Sequence, residues 1–323
     1  LPLEDHQPSF MTKSDLDRSK IIQFFSFALL ILAIAKRSDA TTIIRPWQPI
    51  FQGIDYSSGS LTDNNLHQLV NVLRIDLSNP HIHFFSTPKT AQAPRETLTQ
   101  TTSDFLRQYK LQVAVNANYF LHSSLPISRP TNLIGLAISN GQTVHPTIQG
   151  NTTALIITQK NLASIVNYPV GSIPNGVYTA VSGIPELLKN NQILLADKKV
   201  LDSRTAAGIS KDGKYLILLT IDGARPGVSD GATLYQTAQW LQRYGAYNAV
   251  NLDGGSSSTM VREDVNGSAK VLNRPRDFGI ERLVGNNLGI STATIDPIHS
   301  ATIYSGEFLV FGLGVSLLRL ARD

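Results

Sequence analysis

The stretch "YLILLTIDGARPGVSDGATLYQTAQWLQRYGAYNAVNLDGGSSSTM", residues 215–260, decides how this chain is built. Two apolar runs, 215–222 and 248–252, each lead into Asp-Gly, and between them Leu234, Ala238 and Leu241 recur at helical spacing. That spacing marks one face of an amphipathic helix, for which Gly245 supplies the stop. The reading is strand, helix, strand. If the two strands run parallel, Asp222 and Asp253 emerge on the same sheet edge. Ligands of open sheets with helical crossovers tend to bind beyond the carboxyl ends of the strands. "NLDGGSSSTM" itself admits three readings: a hairpin turn, a cradle for an anionic ligand, or part of a catalytic pocket. Asp-Gly is also ordinary turn chemistry, and Asp212-Gly213 reads as a turn and nothing more.

Working outward, "LVNVLRIDL" (69–77) and "HIHFF" (81–85) read as strands separated by the turn formers Ser78, Asn79 and Pro80. Leu98, Phe105 and Leu106 have helix-like spacing, with Thr99 or Thr101 as candidate caps, and 111–120 then reads as a strand with Asn116 near its end. Asn140-Gly141, between two runs in 133–145, is the strongest short hairpin signal in the chain. Further strands are expected at 154–158 and 176–183. Strands greatly outnumber helices. The expected fold is therefore α+β, a large mixed, mainly antiparallel sheet system with a few helices, forming a single domain over residues 41–298.

At 323 residues, 42% hydrophobic and 16% charged, the composition is that of a globular chain with a sizeable core. The net charge of +4 comes from 28 basic and 24 acidic side chains, with no long basic run, so a nucleic-acid partner is not expected. There is no cysteine, which excludes thiol catalysis, thiolate-bound zinc and iron-sulfur clusters. After Met11, the basic residues Lys13, Arg18 and Lys20 precede the apolar run "IIQFFSFALLILAIA" (21–35), and Ser38-Asp39-Ala40 offers a cleavage site. Residues 11–40 are expected to be a signal peptide. Lys36-Arg37 supports the alternative of an uncleaved N-terminal anchor that keeps the domain near a membrane. Residues 1–10 are expected to lie ahead of the true start. The expected location is exported: periplasmic, cell envelope or extracellular. Residues 299–323 read as a C-terminal tail, because Phe308 to Leu320 is only 13 residues, short of the roughly 20 a bilayer span needs.

Two further segments carry candidate chemistry. Arg204, in "SRTAAGI", offers either a planar fork for a phosphate or carboxylate or a surface ion pair, and "NRPRDFGIERLVGNNLGI" (273–290) concentrates arginines in what is ordinarily a solvated loop. Taken in order, "VAVNANYF", "SRTAAGI", "LLTIDGARPG", "NLDGGSSSTM" and "NRPRDFGIERLVGNNLGI" resemble the phosphodiester glycosidase family across roughly residues 53–290. The resemblance implies an α+β domain with a polar surface cavity that hydrolyses a sugar from a sugar-1-phosphate diester. Matched position by position, the family's residues fall on Asn116, Arg204, Thr205, Asp222, Gly223, Asp253, Gly254, Gly255 and Arg282. Asn118 and Tyr119 stand where small and Phe residues are usual, and Ser256 where Gly is common.

A glycosyl phosphodiester carries one negative charge and many hydroxyls, so its site needs donors for the phosphate and acceptors for the sugar. Hydrolysis through an oxocarbenium-like state usually takes two carboxyl groups. Asp222 and Asp253 are expected to be that catalytic pair, with Asn116, Arg204, Thr205, Gly254, Gly255, Ser256, Ser257 and Arg282 binding substrate. No cofactor is required by the sequence; a divalent metal on the same carboxylates is compatible with it, but no ligand-spacing motif demands one. The expected function is an exported glycosidase acting on sugar-1-phosphate diesters of envelope or extracellular glycans. The alternatives are a non-catalytic exopolysaccharide binding or assembly factor and a metal-dependent phosphodiesterase.

Overall fold

The computed structural model describes residues 40–91, 94–121, 127–146, 153–167 and 175–293. The expected signal segment up to residue 39 and the expected tail 299–323 lie outside the described residues.

The crossover forms as the sequence spacing requires, with strand Tyr215–Ile221, helix Leu234–Arg243 and strand Ala246–Asn251. Thr233 and Gln236 close a capping box at the helix start, satisfying two otherwise orphaned backbone donors. The helix buries Ala238, Trp240 and Leu241 against Ile217, Leu219, Ile221 and Ala249. The buried Trp240 indole donates to Gln68 Oε1 at 2.7 Å, so its polar edge is not left unpaired. The two crossover strands are not neighbours. Strand Arg204–Ser210 lies between them and pairs antiparallel with each, which makes them parallel to one another, one strand apart.

These three strands belong to a nine-stranded sheet. Its order is Thr41–Ile44, Ile54–Asp63, Leu66–Asp76, Tyr215–Ile221, Arg204–Ser210, Ala246–Asn251, Glu186–Lys189 and Gln192–Ile193, with Gln48–Phe51 also paired to Ile54–Asp63. A five-stranded sheet, Ala269–Val271, Met260–Glu263, Val113–Asn116, Asn287–Ser291 and His83–Ser86, faces it. Between them Leu73, Ile75, Leu216, Leu218, Val250 and Leu252 pack with Val113, Val115, Leu288 and Ile290. A third, five-stranded sheet contributes Leu155, Ile157 and Val181 to the same core. Every named strand pair among the described residues is antiparallel. The mainly antiparallel reading holds, and the two crossover strands, parallel to one another, do not pair with each other.

The Asn140-Gly141 hairpin is present, joining Ala137–Ser139 to Gln142–His145, with φ of 50° and 74° at its two turn residues, both in the left-handed region that such a turn needs. The helix read from Leu98 instead starts at Thr102 with Thr101 as its cap. Leu98 sits in the short strand Thr97–Leu98 and is exposed, so its helical spacing to Phe105 carries no packing. The strand read over 111–120 stops at Asn116, where the chain leaves the sheet to build the site.

Candidate active site

Both Asp-Gly turns close on one backbone segment. A Cβ added at Gly223 would lie 2.5 Å from Ser203 N, and one at Gly254 would lie 2.8 Å from Ser203 O. Only glycine permits that approach. Gly255 N–H donates to Ser203 O at 2.8 Å. The two turns therefore share the sheet edge, as the crossover implied.

The two strands reach their turns in opposite phase. Leu216 and Leu218 lie in the core between the sheets while Ile217, Leu219 and Ile221 lie in the helix-side core, so alternation carries Asp222 to the inter-sheet face. Val250 and Leu252 lie between the sheets and Ala249 on the helix side, so Asp253 falls in phase with the other face. Asp222 lines a cavity of about 410 Å³ with Tyr56, Asn71, Asn273 and Arg274. Its carboxylate accepts from Arg274 N–H at 2.9 Å and faces Arg225 at 3.5 Å. Burial pushes its pKa up, against the pull of those two partners. Asp253 does not line that cavity. Asp222 and Asp253, expected as a catalytic pair, are neighbours along the edge with different polar partners, Arg274 and Arg225 for the first and Ser257 and Gly254 for the second.

Asp253 is held by its backbone. Its N–H donates to Ala117 O at 2.9 Å, and its carbonyl accepts from Asn116 Nδ2 at 2.6 Å. Burial raises its carboxyl pKa to about 7, opposed by hydrogen bonds from the Ser257 hydroxyl and the Gly254 N–H and assisted by the negative charge of Asp202. Asp202 is the carboxylate that the sequence reading missed. It accepts from Arg276 Nη1 at 2.9 Å and from Ser203 N–H at 2.8 Å, and lies 3.5 Å from where a Cβ on Gly255 would sit. Its place beside Arg204 was visible, but nothing local links it to residue 253.

Tyr119, noted in the sequence only as a departure, is the second missed residue. Its hydroxyl accepts from Asn251 Nδ2 at 2.8 Å. Burial and then the Asp253 charge push its pKa up to about 12, so near neutral pH it keeps its proton and can only donate it in a hydrogen bond. Arg282 donates to Ser257 Oγ at 3.4 Å and lies 5.5 Å over the Phe120 ring. It has no carboxylate partner among the described residues, and burial lowers its pKa. Ser257 thus links the guanidinium to the Asp253 carboxyl.

The remaining expected residues divide by what their polar atoms already do. Arg204 donates to Ala232 O at 2.8 Å and Val200 O at 2.9 Å, and burial lowers its pKa while Asp202 and Tyr119 raise it. Asn116 and Thr205 are 0% exposed, and Asn116 Oδ1 accepts from Thr205 Oγ1 at 2.7 Å and Thr259 N–H at 3.0 Å. With those bonds they fix the Asp253 loop from below and present nothing to a ligand. Ser256 donates to Asp277 at 3.0 Å and so tethers the 273–282 loop. The N–H groups of Gly254 and Gly255 are taken by Asp253 and Ser203. Among the described residues no three His, Cys, Asp or Glu side chains gather as metal ligands would.

The sequence model of the phosphodiester glycosidase family matches residues 109–291, more than half of the chain and the span that carries Asn116, Tyr119, Asp202, Arg204, Asp222, Asp253 and Arg282. The chain belongs to the phosphodiester glycosidase family. Bovine and mouse N-acetylglucosamine-1-phosphodiester alpha-N-acetylglucosaminidases are 40% identical to it over 62 residues, 19% of this chain and 11% of theirs. The matched segment spans about a tenth of those relatives. Among solved structures, the zebrafish catalytic domain of that enzyme, described as auto-inhibited by its pro-peptide, superposes with a TM-score of 0.58 at 21% identity, covering 79% of this chain and 88% of that one. An exported-protein candidate from Burkholderia pseudomallei gives a TM-score of 0.56 at 14% identity, covering 79% and 97%. A hypothetical protein from Synechocystis gives 0.54 at 16%, covering 77% and 64%. These likenesses establish the fold. No helix among the described residues is long and apolar enough to cross a membrane.

Proposed function

We propose that this chain is an exported glycosidase that hydrolyses the glycosidic bond of sugar-1-phosphate diesters in envelope or extracellular glycans. The observation that carries the reading is the Asp253 carboxyl, raised to about 7 and bonded through Ser257 to an Arg282 that no carboxylate neutralises. A carboxyl poised near neutral pH exchanges protons efficiently, and an unpaired guanidinium suits a phosphate anion. In the reaction, water attacks the anomeric carbon, its oxygen bonds to that carbon, and the bond from the carbon to the phosphate oxygen breaks with its electron pair leaving on the phosphate. Asp253 as carboxylate takes the proton lost by the water. Phosphate is already a good leaving group, so protonating it matters less than activating water. Arg282 and the outward edge of Arg204 hold the phosphate charge, and Asp202 stabilises positive charge on the sugar. Tyr119 donates to a substrate oxygen. The apolar run 21–35 supports export, as does the name of the Burkholderia pseudomallei structural neighbour, an exported-protein candidate.

The test is incubation with a panel of synthetic sugar-1-phosphodiesters in water enriched in heavy oxygen, followed by mass analysis of both products. Label in the released sugar is the expected result. Label in the phosphate would indicate cleavage of the phosphorus-oxygen bond, and binding without turnover would indicate a glycan-binding factor; either outcome rejects the glycosidase.

A further inference from the structure

The loop that delivers Arg282 to Ser257 is an arch with both feet fixed. On one side Asn273 accepts from Met260 N–H at 2.7 Å, and Arg274 N–H donates to Asp222 at 2.9 Å. On the other, Glu281 accepts from the Ser103 N–H and hydroxyl. Arg276 bonds Asp202 at 2.9 Å and Asp277 bonds Ser256 at 3.0 Å, so the crown hangs on the same walls that enclose Asp253. Short backbone bonds from Phe278 N to Arg276 O and from Gly279 N to Pro275 O, both 3.0 Å, set its shape.

At that crown Phe278 is 94% exposed and Ile280 is 70% exposed. Phe278 also has φ of 55°, a left-handed conformation that is unfavourable for a bulky L-residue and free of cost for glycine. Two unfavourable features meet in one side chain: an aromatic ring left in water, and a backbone angle that a smaller residue would accept. Among the described residues no packing covers the ring. Arg282, two residues beyond Ile280, is the group proposed to hold the phosphate, and Asp277 bonds Ser256, next to the Ser257 that Arg282 contacts, so the apolar crown stands beside the proposed phosphate site.

We infer that Phe278 and Ile280 form an apolar wall for the group esterified to the far side of the substrate phosphate, and that this aglycone is itself apolar, an alkyl, aryl or lipid chain. The inference rests on the phosphodiester reading of the site and deepens it. Phe278 trades folding comfort for contact with the substrate: covering the ring with an alkyl chain removes from water apolar surface that no described residue covers.

The experiment compares two phosphodiesters of the same sugar, one with a methyl and one with an octyl aglycone, using the full chain and the variant Phe278→Gly. The wild type is expected to favour the octyl ester in kcat/KM by roughly tenfold, the scale of one partly buried ring. In Phe278→Gly that ratio should fall to about one, while the thermal midpoint holds or rises because glycine accepts the backbone angle. Turnover of the methyl ester by the wild type tests the hydrolase, and the ratio tests the wall, so the two fail separately. If neither ester is turned over, calorimetric affinities of both for both proteins take the place of rates. An octyl advantage lost in the variant supports the wall. Equal wild-type preference for the two esters overturns it, as does an octyl preference that survives the substitution. Sedimentation with phosphatidylcholine vesicles by the wild type but not the variant, without octyl preference, would also overturn it and assign the crown to a bilayer surface.

Discussion

Replacing Asp253 by Asn should make the protein more stable at alkaline pH while abolishing its turnover. The folded-state pKa of Asp253 is raised to about 7 from an ordinary value of 3.8, with burial the largest cause. Between these values the folded protein keeps a proton that the unfolded chain has released. Stability is therefore highest below about pH 4, falls as pH rises through the window, and levels off above about pH 7. Every tenfold change in proton affinity corresponds to about 1.4 kcal/mol, so the ceiling on this loss is about 4 kcal/mol. Residual solvent access screens the charge, and about 1–3 kcal/mol is the realistic range. Asn carries no charge to bury and removes the pH dependence. Its amide can still accept from Ser257 or Gly254 but not from both as a carboxylate does, which costs about 1 kcal/mol. The net expectation is a variant less stable than wild type by about 1 kcal/mol at pH 4 and more stable by up to about 2 kcal/mol at pH 8. Urea unfolding of both proteins at pH 4, 6 and 8 reads the difference directly, and sugar release from a sugar-1-phosphodiester reads activity. Parallel pH curves for the two proteins would show that the Asp253 carboxyl is not strained by burial. A variant with full activity would return the Asp-Gly-Gly segment to the role of a turn.

Other substitutions separate the remaining roles. Asp202→Asn removes the negative neighbour that helps to raise Asp253, so the acid limb of the kcat/KM profile should move to lower pH; an unmoved limb would dissociate the two carboxylates. Tyr119→Phe keeps the ring and leaves Asn251 Nδ2 its bonds to Ile184 O and Leu252 O, so the thermal midpoint should hold while kcat/KM falls roughly 10–100-fold; unchanged kinetics would exclude the hydroxyl from the reaction. Arg282→Gln should cost roughly 10–100-fold in kcat/KM by losing one charge-assisted contact to phosphate, with Arg282→Lys recovering part of it; equal rates in all three proteins would remove Arg282 from the phosphate site. Asn116→Ala strips three buried hydrogen bonds and should destabilise by about 2–5 kcal/mol in urea unfolding; an unchanged midpoint would contradict its bridging role.

The strand-helix-strand crossover, the Asn140-Gly141 hairpin and the mainly antiparallel architecture were legible along the chain, because each is written in residues close together in it. Capping chemistry at Thr233, turn angles at Gly141 and the apolar spacing of the Leu234–Arg243 helix need no distant partner. The facing of Asp222 was not legible. Strand Tyr215–Ile221 is buried on both sides, between the sheets and under the helix, so its run is apolar throughout and shows no alternation from which to read the phase. Leu98 misled for the converse reason, since a helical interval can arise by chance where the chain is a short exposed strand. The partnership of Asp202 with Asp253, the burial of Asn116 and the raised carboxyl pKa emerge from long-range packing. They depend on the register of strand Arg204–Ser210 between two others and on which groups exclude water around residue 253. An electrostatic environment is a sum over neighbours in space, and those neighbours come from strands and loops that the sequence separates widely.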